Sequence, residues 1–214
     1  MKPPHPALMD RALALARMRL GHVAPNPAVG CVIAHGATII AEAATAPGGR
    51  PHAETQALAE AGAAAKGADV YVTLEPCAHH GVTPPCAEAL SAAQVASVLI
   101  ACRDPFPKVD GRGIEHLRAA GVVVEIGLRE LEAQRLNAGF FTRVATGRPL
   151  VAIDPDPSTY DADLDLAPDA DWGAALDALG AQGLTRVRVA PGGALARAMT
   201  AAGWVDRFVA ESEP

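Results

Sequence analysis

The 214 residues carry a formal net charge of −6, with 18 Lys and Arg against 24 Asp and Glu, and no cluster of five or more basic residues. That balance excludes strong non-specific nucleic-acid binding, which needs concentrated positive charge. It leaves room for a small acidic substrate met by a few local cations. Half the chain is apolar, enough for a core without disulfide staples, and four cysteines in this length make no disulfide framework.

The N-terminal MKPPHPALMDRAL has no apolar signal-peptide core. No stretch reaches the roughly 18 apolar residues needed to span a membrane, so a cytoplasmic protein is expected. Leu8, Ala12, Leu15 and Ala16 recur at helical spacing and predict a first helix over 7–20. APNPAVG follows as a loop, since its prolines forbid helix. VGCVIA and ATIIAEA read as two strands around a turn at His35-Gly36. TAPGGRP is a loop ending at His52. Residues 53–65, rich in Ala, Leu and Glu, predict a helix. ADVYVTL predicts a strand and EPCAHHGVTPPC a long loop without apolar period. A short helix over 87–93, strand VASVLIA, helix IEHLRAA, strand VVVEIG and a final helix over 130–147 complete the pattern.

Helices and strands alternating after an opening hairpin predict an α/β sandwich with a mixed sheet. Near residue 148 the character changes. IDPDPSTYDADLDLAPDADW holds seven Asp and three Pro and reads as a linker. After it come helix DWGAALDALGAQG, strand TRVRVA, a PGG turn and helix ALARAMTAAG, too little to bury a core of their own. The expected limits are therefore 1–148, 149–171 and 172–214.

Two stretches carry chemistry: PHAET, with His52 and Glu54, and LEPCAHHGVTPPC, with Cys77 and Cys86. One imidazole and two thiolates fill three corners of a tetrahedral zinc site. A fourth corner left for water is the layout of a catalytic zinc. Glu54 would shuttle protons there, and the pattern matches the first half of the zinc-deaminase signature H-x-E…P-C-x-x-C. The second cysteine, however, follows after eight residues rather than two. A two-residue offset on a helix rotates a side chain by about 200°, so Glu54 must reach the water through local cap geometry. Pro84-Pro85 predicts a helix entry at Cys86, where a helix N-terminus favours thiolate. Glu75 is expected to have a structural hydrogen-bonding role, and Cys31 and Cys102, in apolar runs, to be small core side chains.

PNPAVGCVIA, GRPHAETQALAEAGAAAKGADVYVTLEPCAHHGVTPPCAEAL, RDPFPKVDGRGIEHLRAAGV and RLNAGFF resemble the deaminase domain of the bifunctional riboflavin-biosynthesis deaminase/reductase, in the cytidine-deaminase-like superfamily. The resemblance covers roughly residues 7–150. It implies a three-layer sandwich and zinc-dependent deamination of 2,5-diamino-6-ribosylamino-4(3H)-pyrimidinone 5′-phosphate. His52, Cys77 and Cys86 would be the zinc ligands, Glu54 the proton shuttle, and Asn26 and His79 substrate contacts. The partner would be that phosphorylated pyrimidine, with neither nucleic acid nor membrane, in a chain open to homo-oligomerisation. Two positions depart from the family: Thr45 stands where His is usual, and Val82 where Arg or Lys serves the substrate phosphate. Residues 172–214 resemble a remnant of the family's reductase domain, with Pro191 at its glutamate position and the domain's body missing between Val151 and Trp172. Two alternatives stand beside the working deaminase: a non-catalytic zinc protein of the same fold, and a deaminase of another pyrimidine or nucleoside.

Overall fold

A computed structural model describes residues 5–78 and 84–209. The chain forms two compact units, one comprising the chain up to Arg19 and Ala28–Asn137, the other Leu20–Pro27 and the chain from Ala138.

In the first unit, α1 (Pro6–Arg17) begins with proline in its first turn and buries Leu8, Met9, Ala12, Leu13, Leu15 and Ala16. Proline is suited to that place because its missing N–H would be unpaired there anyway. β1 (Gly30–His35) and β2 (Thr38–Ala44) form the expected antiparallel hairpin. β1 is buried along nearly its whole length, whereas β2 is buried only at Ala41 and Ala44 and lies at the sheet edge. Then follow α2 (Ala53–Ala61), β3 (Asp69–Leu74), α3 (Cys86–Ala92), β4 (Ser97–Cys102), α4 (Arg112–Ala119), β5 (Val123–Ile126) and α5 (Glu130–Leu136). Among the described residues the sheet order is β2-β1-β3-β4-β5. β1 is antiparallel to β2 and β3, while β3, β4 and β5 run parallel. The sheet is thus mixed, as expected. α1 and α5 pack together on it, and α2, α3 and α4 form the other helical layer. Tyr71 of β3 is wholly buried, and its hydroxyl accepts from His5 N–H at 3.1 Å, which satisfies the one polar atom that burial would otherwise penalise.

The single helix expected over 130–147 is two. Asn137 interrupts it, separating α5 from α6 (Ala138–Thr146). Its buried carboxamide accepts from Ala28 N–H and donates to Ala28 C=O, both at 3.0 Å. A side chain committed to the strand entry in this way fixes where the helix must stop.

The second unit holds α6, β6 (Leu150–Ile153), β7 (Ala162–Asp163), α7 (Trp172–Ala181), β8 (Arg186–Val189), α8 (Ala194–Ala201) and β9 (Arg207–Phe208). Its strands run parallel in the order β7-β8-β6-β9. Val151, Leu164, Leu176, Val187, Val189, Ala196 and Met199 make its core. Residues 149–171 are therefore not a linker, and the packing divides at Asn137 rather than at 148. The acidic segment is ordered because its carboxylates serve as local acceptors. Asp161 takes N–H bonds from Thr185 and Arg186 at 2.6 and 2.9 Å. Asp154 accepts from the Tyr160 hydroxyl at 2.6 Å, and Asp163 pairs with Arg188. With β6 added, residues 172–214 share a core that they could not build alone. Among the described residues no helix is long and apolar enough to cross a membrane.

Candidate active site

His52 is the N-cap of α2, with extended backbone (φ −66°, ψ 157°). The 200° offset of a regular helix therefore does not apply between it and Glu54, because only Glu54 lies inside the helix. Gln56, one turn on, fixes this entry: its Nε2 donates to the carbonyls of Ala44, Pro51 and His52 at 2.8, 3.0 and 3.3 Å. Cys77 follows β3, at the carboxyl end of a parallel strand, where open α/β sheets place their ligands. Cys86 opens α3, directly after Pro85. Cys86 N–H donates to Cys77 Sγ at 3.3 Å and Ala87 N–H to Cys77 C=O at 3.2 Å. The two cysteines are thus tied together despite the long loop between them.

The ligand atoms of His52, Cys77 and Cys86 all lie within 4.8 Å of one another. His52 Nδ1 is 3.3 Å from Cys86 Sγ and 3.6 Å from Cys77 Sγ. Tetrahedral zinc, with bonds of about 2.3 Å to sulfur and 2.0–2.1 Å to nitrogen, holds such atoms about 3.5 Å apart. The donor set and its spacing therefore fit zinc. None of the four cysteines is in a disulfide. Cys31 and Cys102 are buried in the core, as expected, and the Cys102 thiol is pushed up to about 12, mainly by burial.

Electrostatics favour a thiolate here. A hydrogen bond from the Cys86 thiol is the largest influence bringing Cys77 down to about 4, helped by bonds from His52 and the Cys86 N–H against the opposing effect of burial. Cys86 moves upward for the complementary reason, since it is the donor. His52 is raised, chiefly by its bond to Cys77. Glu54 is 3% exposed. Burial pushes its carboxyl up to about 7, opposed by the positive charge of His52, with the Cys86 thiol against it.

Asn26 belongs to the second compact unit, where its N–H donates to Val23 C=O at 2.9 Å. His79 and Val82 lie outside the described residues. Thr45 is buried, and its hydroxyl accepts from Val29 N–H at 3.0 Å. Two supporting residues escape a reading of motifs: Gln56, and Thr55, whose Oγ1 is 4.0 Å from Cys86 Sγ. Both follow H-A-E on the helix, but nothing in their type marks them.

Residues 3–102 match the cytidine and deoxycytidylate deaminase zinc-binding region. The diaminohydroxyphosphoribosylamino-pyrimidine deaminase of Buchnera aphidicola subsp. Schizaphis graminum (strain Sg) is 45% identical over 141 residues, which are 66% of this chain and 96% of that protein. The chain belongs to this deaminase family. Riboflavin biosynthesis protein RibD of Escherichia coli (strain K12) is 50% identical over 145 residues, 68% of this chain and 40% of that protein. The chain thus spans about two-fifths of the length of that RibD. The structure of Acinetobacter baumannii RibD (form 1) superposes with a TM-score of 0.81 at 28% identity, covering 98% of this chain and 87% of that one. The matched zinc-binding region includes His52, Cys77 and Cys86, the cluster whose donor atoms and spacing fit zinc.

Proposed function

We propose that the chain hydrolytically deaminates 2,5-diamino-6-ribosylamino-4(3H)-pyrimidinone 5′-phosphate. The observation that carries this reading is the buried Glu54 carboxyl beside a His52–Cys77–Cys86 cluster of zinc spacing. Kinship with the Buchnera deaminase, matched almost end to end, supports the substrate. His52 Nδ1 and the two sulfurs would hold the ion. When bound, zinc lowers the pKa of a water from 15.7 towards about 7. Glu54 would take one proton from the attacking water and give it to the ring nitrogen, then carry the second, from the resulting hydroxyl, to the departing amine, so that the water oxygen becomes the ring carbonyl and the amine leaves as ammonia. Burial of Glu54 keeps that proton from bulk solvent. The test is ammonia release by the zinc-loaded protein, on the phosphorylated pyrimidine and on cytidine side by side. Release from cytidine alone would assign the chain to another substrate, and release from neither would leave a non-catalytic zinc protein.

We further infer that residues 1–137 act as the deaminase domain and that the second unit is a reductase remnant without reductase chemistry. Pro191 in its glycine turn and the short path between Val151 and Trp172 support this. Saturable NADPH binding in calorimetry would overturn it. The dispersed Lys and Arg residues support a small-molecule partner rather than a nucleic acid.

A further inference from the structure

Glu75 is 3% exposed, and its carboxylate is fully engaged. Oε2 accepts from Gly111 N–H at 3.1 Å, and Oε1 accepts from Gly113 and Ile114 N–H at 3.1 and 3.3 Å. These are the otherwise unpaired donors at the start of α4, where the helix dipole also favours negative charge. Glu75 therefore caps a helix distant in sequence. Its backbone is held as well, since its N–H donates to Cys102 C=O at 3.0 Å, extending the β3–β4 pairing past Leu74.

The helix start is shaped for this contact. Gly111, the N-cap, has φ +88°, a conformation that costs other residues strain. A Cβ on Gly113 would lie 2.0 Å from Pro76 C=O. Gly111 and Gly113, in the stretch RDPFPKVDGRGIEHLRAAGV, thus form a socket into which Glu75 and Pro76 fit. Cys77 is the next residue. Its carbonyl and sulfur are fixed from the other side by the start of α3, and α3 packs on α4.

We infer that Glu75 is a positioning residue for the metal centre: by locking the Glu75-Pro76 peptide into the α4 socket it sets where Cys77 Sγ stands relative to His52 and Cys86. Both oxygens of Glu75 are held at the start of α4, which separates its role from that of Glu54. The inference rests on the reading of His52, Cys77 and Cys86 as a zinc site. Supporting groups that orient metal ligands typically change metal affinity 10–100-fold when removed.

The test uses the full chain. Zinc affinity is measured by chelator competition. Cobalt(II) replaces zinc to give a spectrum that reports ligand number and geometry, and urea midpoints of the metal-free proteins report folding. In Glu75→Gln one oxygen still serves Gly113 and Ile114, but an amide NH2 now faces the Gly111 N–H. Zinc binding is expected to weaken about tenfold or more, with weakened or shifted cobalt–thiolate absorption. Gly111→Ala, with nothing within 4 Å of the new methyl, perturbs the socket without a clash and is expected to give the same change to a smaller degree. It decides the matter should Glu75→Gln not fold. Wild-type zinc affinity and an unchanged cobalt spectrum in a folded variant, whatever its urea midpoint, overturn the positioning role. If the wild-type chain itself binds no zinc and gives no thiolate spectrum with cobalt, the zinc-site reading fails, and this inference with it.

Discussion

Glu54 and Asp104 are both buried carboxyls, and their surroundings give them different consequences. Glu54 lies against the His52–Cys77–Cys86 cluster. Glu54→Gln keeps the shape and removes the proton carrier, so zinc content should stay at one per chain while deamination falls by about 10²–10⁴-fold. Metal analysis and ammonia release on the same sample check it. A fully active variant would move the proton shuttle elsewhere. Asp104 accepts from Phe106 N–H at 2.8 Å. Burial nonetheless raises it from 3.8 to about 6, with the charges of Glu75, Cys77 and Asp110 adding to the effect. A raised acid is protonated in the folded chain at pH values where the unfolded chain has released its proton. Its contribution to stability is present below about pH 3.8 and is lost as pH rises through about 6, by at most about 3 kcal/mol. Asp104→Asn keeps the acceptor and removes the titration. Its urea midpoint should therefore fall less steeply than wild type between pH 4 and 6.5, and parallel curves would refute the assignment.

At the scale of elements, Asn137 ends α5 and ties it to the entry of β1. Asn137→Ala would leave both the N–H and the C=O of Ala28 unpaired in a buried place, at a cost of about 2–3 kcal/mol. Denaturant unfolding measures this, and a loss below about 0.5 kcal/mol would show that water replaces the amide. This side chain also shows why the helix break was not legible in the sequence. Residues 130–147 have helical composition throughout, and the partner that stops the helix lies 109 positions away. The alternating elements of the first unit were legible because apolar period and Gly/Pro punctuation are local signals. The cluster of His52, Cys77 and Cys86 was legible because His-x-Glu and Pro-Cys are rare combinations with a shared chemistry. The fold of residues 149–171 was hidden by the opposite circumstance: seven Asp read as solvated charge, yet Asp154, Asp161 and Asp163 are spent on Tyr160, Thr185, Arg186 and Arg188. Glu75 was legible as a structural acceptor, but its three donors are 36–39 residues distant.

At the scale of the molecule, the chain leaves the first unit after Arg19, contributes Leu20–Pro27 to the second, and returns at Ala28. Pro25 packs on Gly183, and the carbonyl oxygens of Ser158 and Tyr160 lie against Gly21. The consequence is that separability runs one way. If the second unit melts, residues 20–27 become a short loop whose two ends stay anchored in the first, and closing so short a loop carries only a small entropic penalty. If the first unit is cut away, residues 138–214 lose a packed segment that no other stretch replaces, in a piece already near the lower size limit for folding alone. Residues 1–137 expressed alone should unfold cooperatively and retain zinc, whereas 138–214 alone should show no cooperative thermal transition. Fusing 20–27 back onto the smaller fragment should restore part of one. A first unit able to fold without the second is in keeping with a 141-residue match that fills 96% of the Buchnera deaminase.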